Sequence, residues 1–206
     1  MENLEFFNSV DSMLCETLSK KQLKEFCEDF EKEVEANNGK YANDFKLALK
    51  MGETGERIVR MFLENLGYVF LSKCEDISHD YKFLKDGKEF VFEIKTDVGH
   101  YRLNKKTDKF YDTGNVAIEF ECRNKPSGID ATKADFFVTY FPRLNEIWLI
   151  KTNKLRKLIV DNKDSIRDTE NSGDDGSNTK LHLLNREKFK PEFRVTNLYV
   201  KWKCLS

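Results

Sequence analysis

The sequence predicts an α/β fold in which a mixed central sheet is flanked by helices, with a helical segment added at its N-terminal side. Three observations carry this. Residues 79 to 97, HDYKFLKDGKEFVFEIKTD, alternate apolar and polar side chains around Asp86-Gly87, as a β-hairpin closed by a type I′ turn does. Residues 52 to 67, GETGERIVRMFLENLG, repeat Ile58, Phe62, Leu63 and Leu66 at helical spacing and reach a natural stop at Gly67. Further on, FFVTYF and EIWLIKT are short apolar runs of the kind that form buried strands.

With 206 residues, 39% hydrophobic and 13% aromatic, the chain can bury one real core and carry an elaboration of it. Residues 19 to 37, SKKQLKEFCEDFEKEVEAN, put Leu23, Phe26, Cys27, Phe30 and Val34 on one stripe among charges, which reads as an amphipathic helix packed on the body or on a second copy. A homodimer through that stripe is therefore one expectation. The N-terminal helical segment, residues 1 to 50, is set apart from the main domain at 51 to 206. The helix over 52 to 67 carries Glu56 in its first turns, with Glu53 a competing acid, and YVFLSK follows as a strand. Helix, strand, strand, strand is thus the expected order up to Asp97.

Beyond the hairpin, VGHYRLNKKTDKFYDTGN interleaves Arg102, Lys105, Lys106 and Lys109 with His100, Tyr101, Phe110 and Tyr111. It is the best candidate for a nucleic-acid surface, although a solvated basic loop has the same composition. NVAIEFECR alternates strictly and reads as a strand with Glu119, Glu121 and Arg123 on one face. Pro126-Ser127-Gly128 marks a turn, IDATKAD a short helical segment, residues 152 to 161 a helix, and FRVTNLYVKWK a last strand. Residues 161 to 180, DNKDSIRDTENSGDDGSNTK, are nearly free of apolar anchors and read as a mobile loop. Their acids do not follow the spacing of a calcium-binding loop.

Several classes are disfavoured. No stretch approaches a transmembrane span, and MENLEFFNSVDSML lacks the basic start and apolar run of a signal peptide. Cys15, Cys27, Cys74, Cys122 and Cys204 are odd in number and scattered, unlike a disulfide framework or a zinc site, which suits a reducing cytoplasm. A net charge of −1 gives no overall electrostatic footprint for nucleic acid, so any such contact must come from local basic patches. Arg123 and Lys133 are further candidates for phosphate contacts.

A two-residue turn at Asp86-Gly87 pairs Phe83 with Phe90, Tyr81 with Phe92, and Asp80 with Glu93. The two carboxylates then face each other with Cβ atoms roughly 4.5–5.5 Å apart, a repulsive placement that needs a neutralising partner. Lys95, two residues past Glu93, shares their face, while Tyr81, Phe83, Phe90, Phe92 and Ile94 form an apolar stripe on the other. Oxygen ligands of this kind suit magnesium or manganese better than zinc. A divalent ion there would remove the repulsion, polarise a phosphate and acidify water, with Lys95 orienting that water or offsetting charge on the phosphate. Asp76 and Asp97 read as loop or turn residues beside the cluster.

Asp80 followed by Glu93-Ile94-Lys95 on the adjoining strand resembles the signature of the PD-(D/E)XK nuclease superfamily. GERIVRMFLENLGYVF is similar to the glutamate-bearing first helix and strand of archaeal Holliday-junction resolvases and RecB-like nucleases in that group. The likeness spans Gly52 to Asp97, with weaker support out to Tyr140. It implies a restriction-endonuclease-like αβββαβ core and magnesium-dependent hydrolysis of phosphodiester bonds, with DNA favoured as substrate and an RNA-directed nuclease of the same fold left open. It also implies Glu56, Asp80 and Glu93 as metal-binding acids, Ile94 within the metal-binding set, and Lys95 as the catalytic lysine. His79 stands where the family's name has proline. Two other readings stay open: a catalytically silent nucleic-acid-binding module, and an interaction protein working through its N-terminal helix.

Overall fold

Asp86 and Gly87 both take positive φ, 51° and 73°, which is the type I′ geometry whose twist matches antiparallel strands. The turn joins β2 (Tyr81–Lys85) to β3 (Lys88–Thr96) in the expected register, Tyr81 opposite Phe92 and Phe83 opposite Phe90. The computed structural model describes residues 20–36, 45–74, 78–104, 106–107, 109–172 and 178–198. Ahead of the hairpin lie α1 (Lys20–Ala36), α2 (Phe45–Asn65) and β1 (Val69–Lys73). After it come β4 (Tyr101–Asn104), β5 (Lys109–Asp112), β6 (Asn115–Cys122), β7 (Lys125–Pro126), the short α3 (Gly128–Ala131), β8 (Phe136–Phe141) and β9 (Glu146–Lys151). The rest is α4 (Thr152–Asp161), β10 (Arg167–Ser172), β11 (Asn178–Asn185), α5 (Arg186–Phe189) and β12 (Arg194–Asn197).

The central sheet runs β1-β2-β3-β8-β9-β12. Among the described residues only β3 and β8 pair in parallel, so the sheet is mixed, and helices flank it. Alternation along β3 sends Phe92 and Ile94 to one face and Glu93 and Lys95 to the other. On the first face α1 and α2 close a core that includes Phe30, Val34, Ile58, Phe62, Phe83 and Tyr140. The opposite face is covered by a second antiparallel sheet, β10-β11-β6-β7, and by α4. There Ile118, Ile129, Phe137, Trp148 and Leu155 pack together. Each face of the sheet therefore has its own apolar cluster.

Cys27, Phe30 and Val34 are at most 1% exposed, so this part of the α1 stripe is spent on the body of the chain. A pairing of two copies would need another surface. The side chains of Leu23 and Phe26, together with Cys15, Asp76, Cys204 and residues 199–206, lie outside the described residues. Burial pushes the Cys27 thiol up to about 12, as expected of an inert packing cysteine. Among the described residues no helix is long and apolar enough to cross a membrane.

Two expectations need correction. The helix expected from Gly52 begins at Phe45 and so runs through the junction placed between residues 50 and 51, leaving Glu56 well inside it. The cause is FKLALKM, a run of good helix formers that propagates the helix upstream. Residues 161 to 180 are not a loop throughout: Arg167–Ser172 pairs with Asn178–Asn185 in a hairpin whose second strand also pairs with β6. The apolar residues that anchor it, Leu181, Leu183 and Leu184, follow just past that polar stretch, and β10 as an edge strand can keep its polar side chains in water. Residues 173–177 are outside the described part. The basic segment after β3 likewise forms a hairpin, β4 against β5.

Gly55 sets how closely α2 approaches β3. A Cβ built there would lie 1.8 Å from Thr96 Oγ1, whereas one at Gly52 meets nothing within 4 Å. Gly55→Ala is expected to lower stability by about 1–3 kcal/mol in a denaturant titration, as overpacking does. Gly52→Ala in the same helix should be neutral or stabilising.

Candidate active site

The β2–β3 ladder ends at Tyr81, and Asp80 departs from strict opposition to Glu93. Its main-chain N–H donates to Phe92 O at 3.0 Å, and its carboxylate Oδ2 accepts the Ile94 N–H at 2.5 Å. Asp80 thus straddles Glu93, bonded to the residues on either side of it. Glu93 is 5% exposed. Its Oε1 meets Lys95 Nζ at 2.7 Å, and its Oε2 lies 3.1 Å from Thr132 Oγ1. The single Thr132 hydroxyl proton has a second acceptor in Ser78 O at 3.0 Å, and the hydroxyl accepts Ala134 N–H at 3.2 Å.

The segment that carries Thr132 is locked from outside the cleft. Arg156 on α4 donates to Ile129 O at 2.8 and 3.1 Å and to Thr132 O at 2.7 Å. Gly128 takes φ 48°, and a Cβ on it would fall 2.2 Å from Glu119 O, so only glycine lets this turn lie against β6. Ser127 Oγ donates to the Glu119 carboxylate. Between turn and sheet a cavity of about 240 Å³ is lined by Asp80, Glu93 and Lys95 together with His79, Ser127 and Gly128. His79 Nδ1 is 2.8 Å from Ser78 Oγ.

Burial first, and then the neighbouring Glu93 charge, raise the Asp80 carboxyl to about 7 against the opposing pull of Lys95 and the Ile94 N–H. Burial would lower the Lys95 pKa, but the charges of Glu93 and Asp80 outweigh it and carry the ammonium up to about 12. Lys95 is a cation at neutral pH. The expected conflict between the two carboxylates is therefore present, and the lysine relieves only part of it.

Glu56 pairs with Lys73 Nζ at 3.1 Å and reaches Asp80 as a weaker electrostatic neighbour. Among the described residues no group of three or more His, Cys, Asp or Glu is gathered as a metal-binding cluster. Ile94 can offer only its main-chain carbonyl, because its side chain is in the core at 3% exposure. Two carboxylates and a carbonyl nonetheless match a hard cation that keeps several of its waters, and the raised Asp80 pKa marks a place where added positive charge is favourable. Asp80, Glu93 and the Ile94 carbonyl are the groups that could hold such an ion.

The basic candidates are dispersed. Lys106 and Lys109 are exposed at the β4–β5 hairpin, Lys105 and the Arg102 side chain lie outside the described part, and Arg123 is exposed in the β6–β7 turn with φ 52°. Lys133 is exposed beside the cleft, its N–H bonded to Ser78 O at 2.8 Å. Thr132, Ser127 and Gly128 were not singled out as site residues. They come close only because β8 pairs in parallel with β3, for which the sequence had no signal beyond the turn at Pro126. Asp97 is a loop residue just past β3, as expected, but a half-buried one whose side chain accepts main-chain N–H groups of Ala117 and His100.

No protein-family model matches the sequence, and no curated protein matches it. Among solved structures the chain is similar to the bacterial homing endonuclease I-Ssp6803I, at 17% identity and a TM-score of 0.36 over 50% of this chain and 67% of that one.

The pKa of Asp80 is raised from 3.8 to about 7 in the folded protein, so its contribution to stability is full below the unfolded value and is lost as pH rises through the folded one. Denaturant titrations without added metal should find Asp80→Asn close to wild type at pH 4 and more stable than wild type at pH 8. A constant difference across that range would contradict the environment described for Asp80.

Proposed function

We propose that the chain is a magnesium-dependent nuclease that hydrolyses phosphodiester bonds, with DNA as substrate and endonucleolytic cutting favoured. The observation that carries this reading is the Asp80–Glu93–Lys95 arrangement, in which a half-buried carboxylate just before β2 and a buried one on β3 line a small cavity with one charged lysine. A surface salt bridge would not need both acids or their burial. Asp80, Glu93 and the Ile94 carbonyl would hold the cation, with Glu56 adding charge from α2. Mg2+, or Mn2+ in its place, supplies positive charge at a phosphate oxygen and lowers the pKa of water at the site.

The protein's own groups account for the remaining steps. Lys95, held at 2.7 Å by Glu93, is a permanent cation and so offsets charge gathering on the phosphate rather than accepting a proton. Thr132 fixes the second Glu93 oxygen, which keeps the carboxylate from swinging away from the cavity. Lys133, Arg123, Lys106 and Lys109, with Arg102 and Lys105, would make backbone contacts that position nucleic acid without reading its sequence. The likeness to the PD-(D/E)XK superfamily agrees with this assignment of roles. A homodimer, should the enzyme cut both strands, would form away from the buried α1 stripe.

Purified protein incubated with supercoiled plasmid, single-stranded DNA and an RNA control should nick or degrade DNA with Mg2+ or Mn2+ and not with EDTA. Asp80→Ala and Lys95→Ala should each reduce the rate at least about 100-fold, the scale of removing one electrostatic stabiliser, while folding is retained. Metal-independent cleavage, or full activity in both variants, would overturn the assignment. Binding without cleavage in wild type would favour the silent binding module.

A further inference from the structure

Glu93, Lys95 and Asp97 alternate along β3 and its continuation, so Asp97 lies on the same side as the cleft, about 6.6 Å beyond Lys95. There a second and larger cavity opens, about 480 Å³, lined among others by Asp97, Tyr111, Asn115, Arg167, Leu181 and Leu183. No role proposed above uses it. Its size lies within the range that takes a small organic ligand.

The floor is rigid. Asp97 N–H bonds to Tyr140 O at 2.9 Å, and His100 O accepts Thr113 N–H at 2.7 Å. His100 is 2% exposed, with Nδ1 at 2.7 Å from Asp97 O and its ring edge-on to Phe141 at 5.2 Å. Two half-buried leucines from β11 make an apolar wall, and Arg167 sits opposite Leu183 in the β10–β11 ladder. At the rim Tyr111 is 48% exposed, with its ring among the groups that line the cavity. A flat π face, apolar walls, hydrogen-bonding groups below and a guanidinium at the mouth together match a nucleobase and its phosphate.

A base stacked inside a duplex cannot enter such a cup, whereas an extruded or unpaired one can. We propose that this cup holds the base of one unpaired nucleotide, stacked on Tyr111 with Arg167 on its phosphate, next to the phosphodiester presented to Lys95. The chain then selects DNA carrying a bulged, flapped or single-stranded nucleotide beside the cut. This rests on reading the Asp80–Glu93–Lys95 cleft as a nuclease site.

The test is binding in EDTA, where no turnover is expected, of a short duplex with a single unpaired 2-aminopurine, against the same duplex fully paired. Wild type should bind the bulged duplex at least about tenfold more tightly. Tyr111→Ala should reduce that preference about 5- to 100-fold, the loss of one base–aromatic stack. Thr169→Trp, which fills the cup from β10, should abolish it while binding the paired duplex as wild type does. Equal affinity of wild type for the two duplexes, binding of neither, or a preference that survives both substitutions would overturn the cup. Cleavage is read separately with Mg2+: selective binding without cleavage removes the nuclease reading and keeps the cup, while equal cleavage of both duplexes removes the cup and keeps the nuclease.

Discussion

Two carboxylates, Asp80 and Glu93, are held close together at the end of a hairpin and largely out of water, and much of the surrounding structure serves to keep them there. Like charges in that position repel, and burial makes Asp80 harder to ionise. Asp80 responds with a pKa raised to about 7, while Lys95 stays charged because it faces both acids. A chain that needed only a stable sheet would place a threonine or valine at either position. Retaining both acids is a cost of about the kind seen where a site is built for a cation or a developing charge.

The scaffold explains how that cost is carried. The sheet is packed by α1 and α2 along one side, and its β8–β9 part is covered on the other by the β6-containing sheet and α4. Close approach is bought at two glycines: Gly55 lets α2 descend onto Thr96, and Gly128 lets the Ser127 turn rest on Glu119. Arg156 then ties the turn down through three hydrogen bonds. The cavity beside Lys95 and the cup beyond Asp97 lie along one face of one strand. That continuity makes a single nucleic-acid path physically reasonable.

The parts of this arrangement that were legible in the sequence are those written in local patterns. Asp86-Gly87 specified the turn, and period-two alternation then put Phe83, Phe92 and Ile94 in the core and Glu93 with Lys95 opposite. The helical repeat of Ile58, Phe62 and Leu63 gave α2 its buried side, though not its start, which good helix formers from Phe45 to Lys50 carry upstream. The rest depended on contacts distant in sequence. The β10–β11 hairpin reads locally as a loop because its apolar anchors are few and its second strand gains stability by pairing with the distant β6. The parallel pairing of β3 with β8 brings Thr132 and Gly128 to Glu93 across nearly forty residues, and nothing local announces it. Asp97 is the loop residue its position suggests, but its contact with Ala117 is reached only through the second sheet.

The most direct test of the central claim is a calorimetric titration of Mn2+ and Mg2+ into the wild-type protein and into Glu93→Gln, with folding of the variant checked by circular dichroism. Saturable binding to wild type that is lost, or weakened at least about tenfold, in Glu93→Gln would agree with a cation site at the paired carboxylates. No saturable binding to wild type, or equal binding to both proteins, would contradict it.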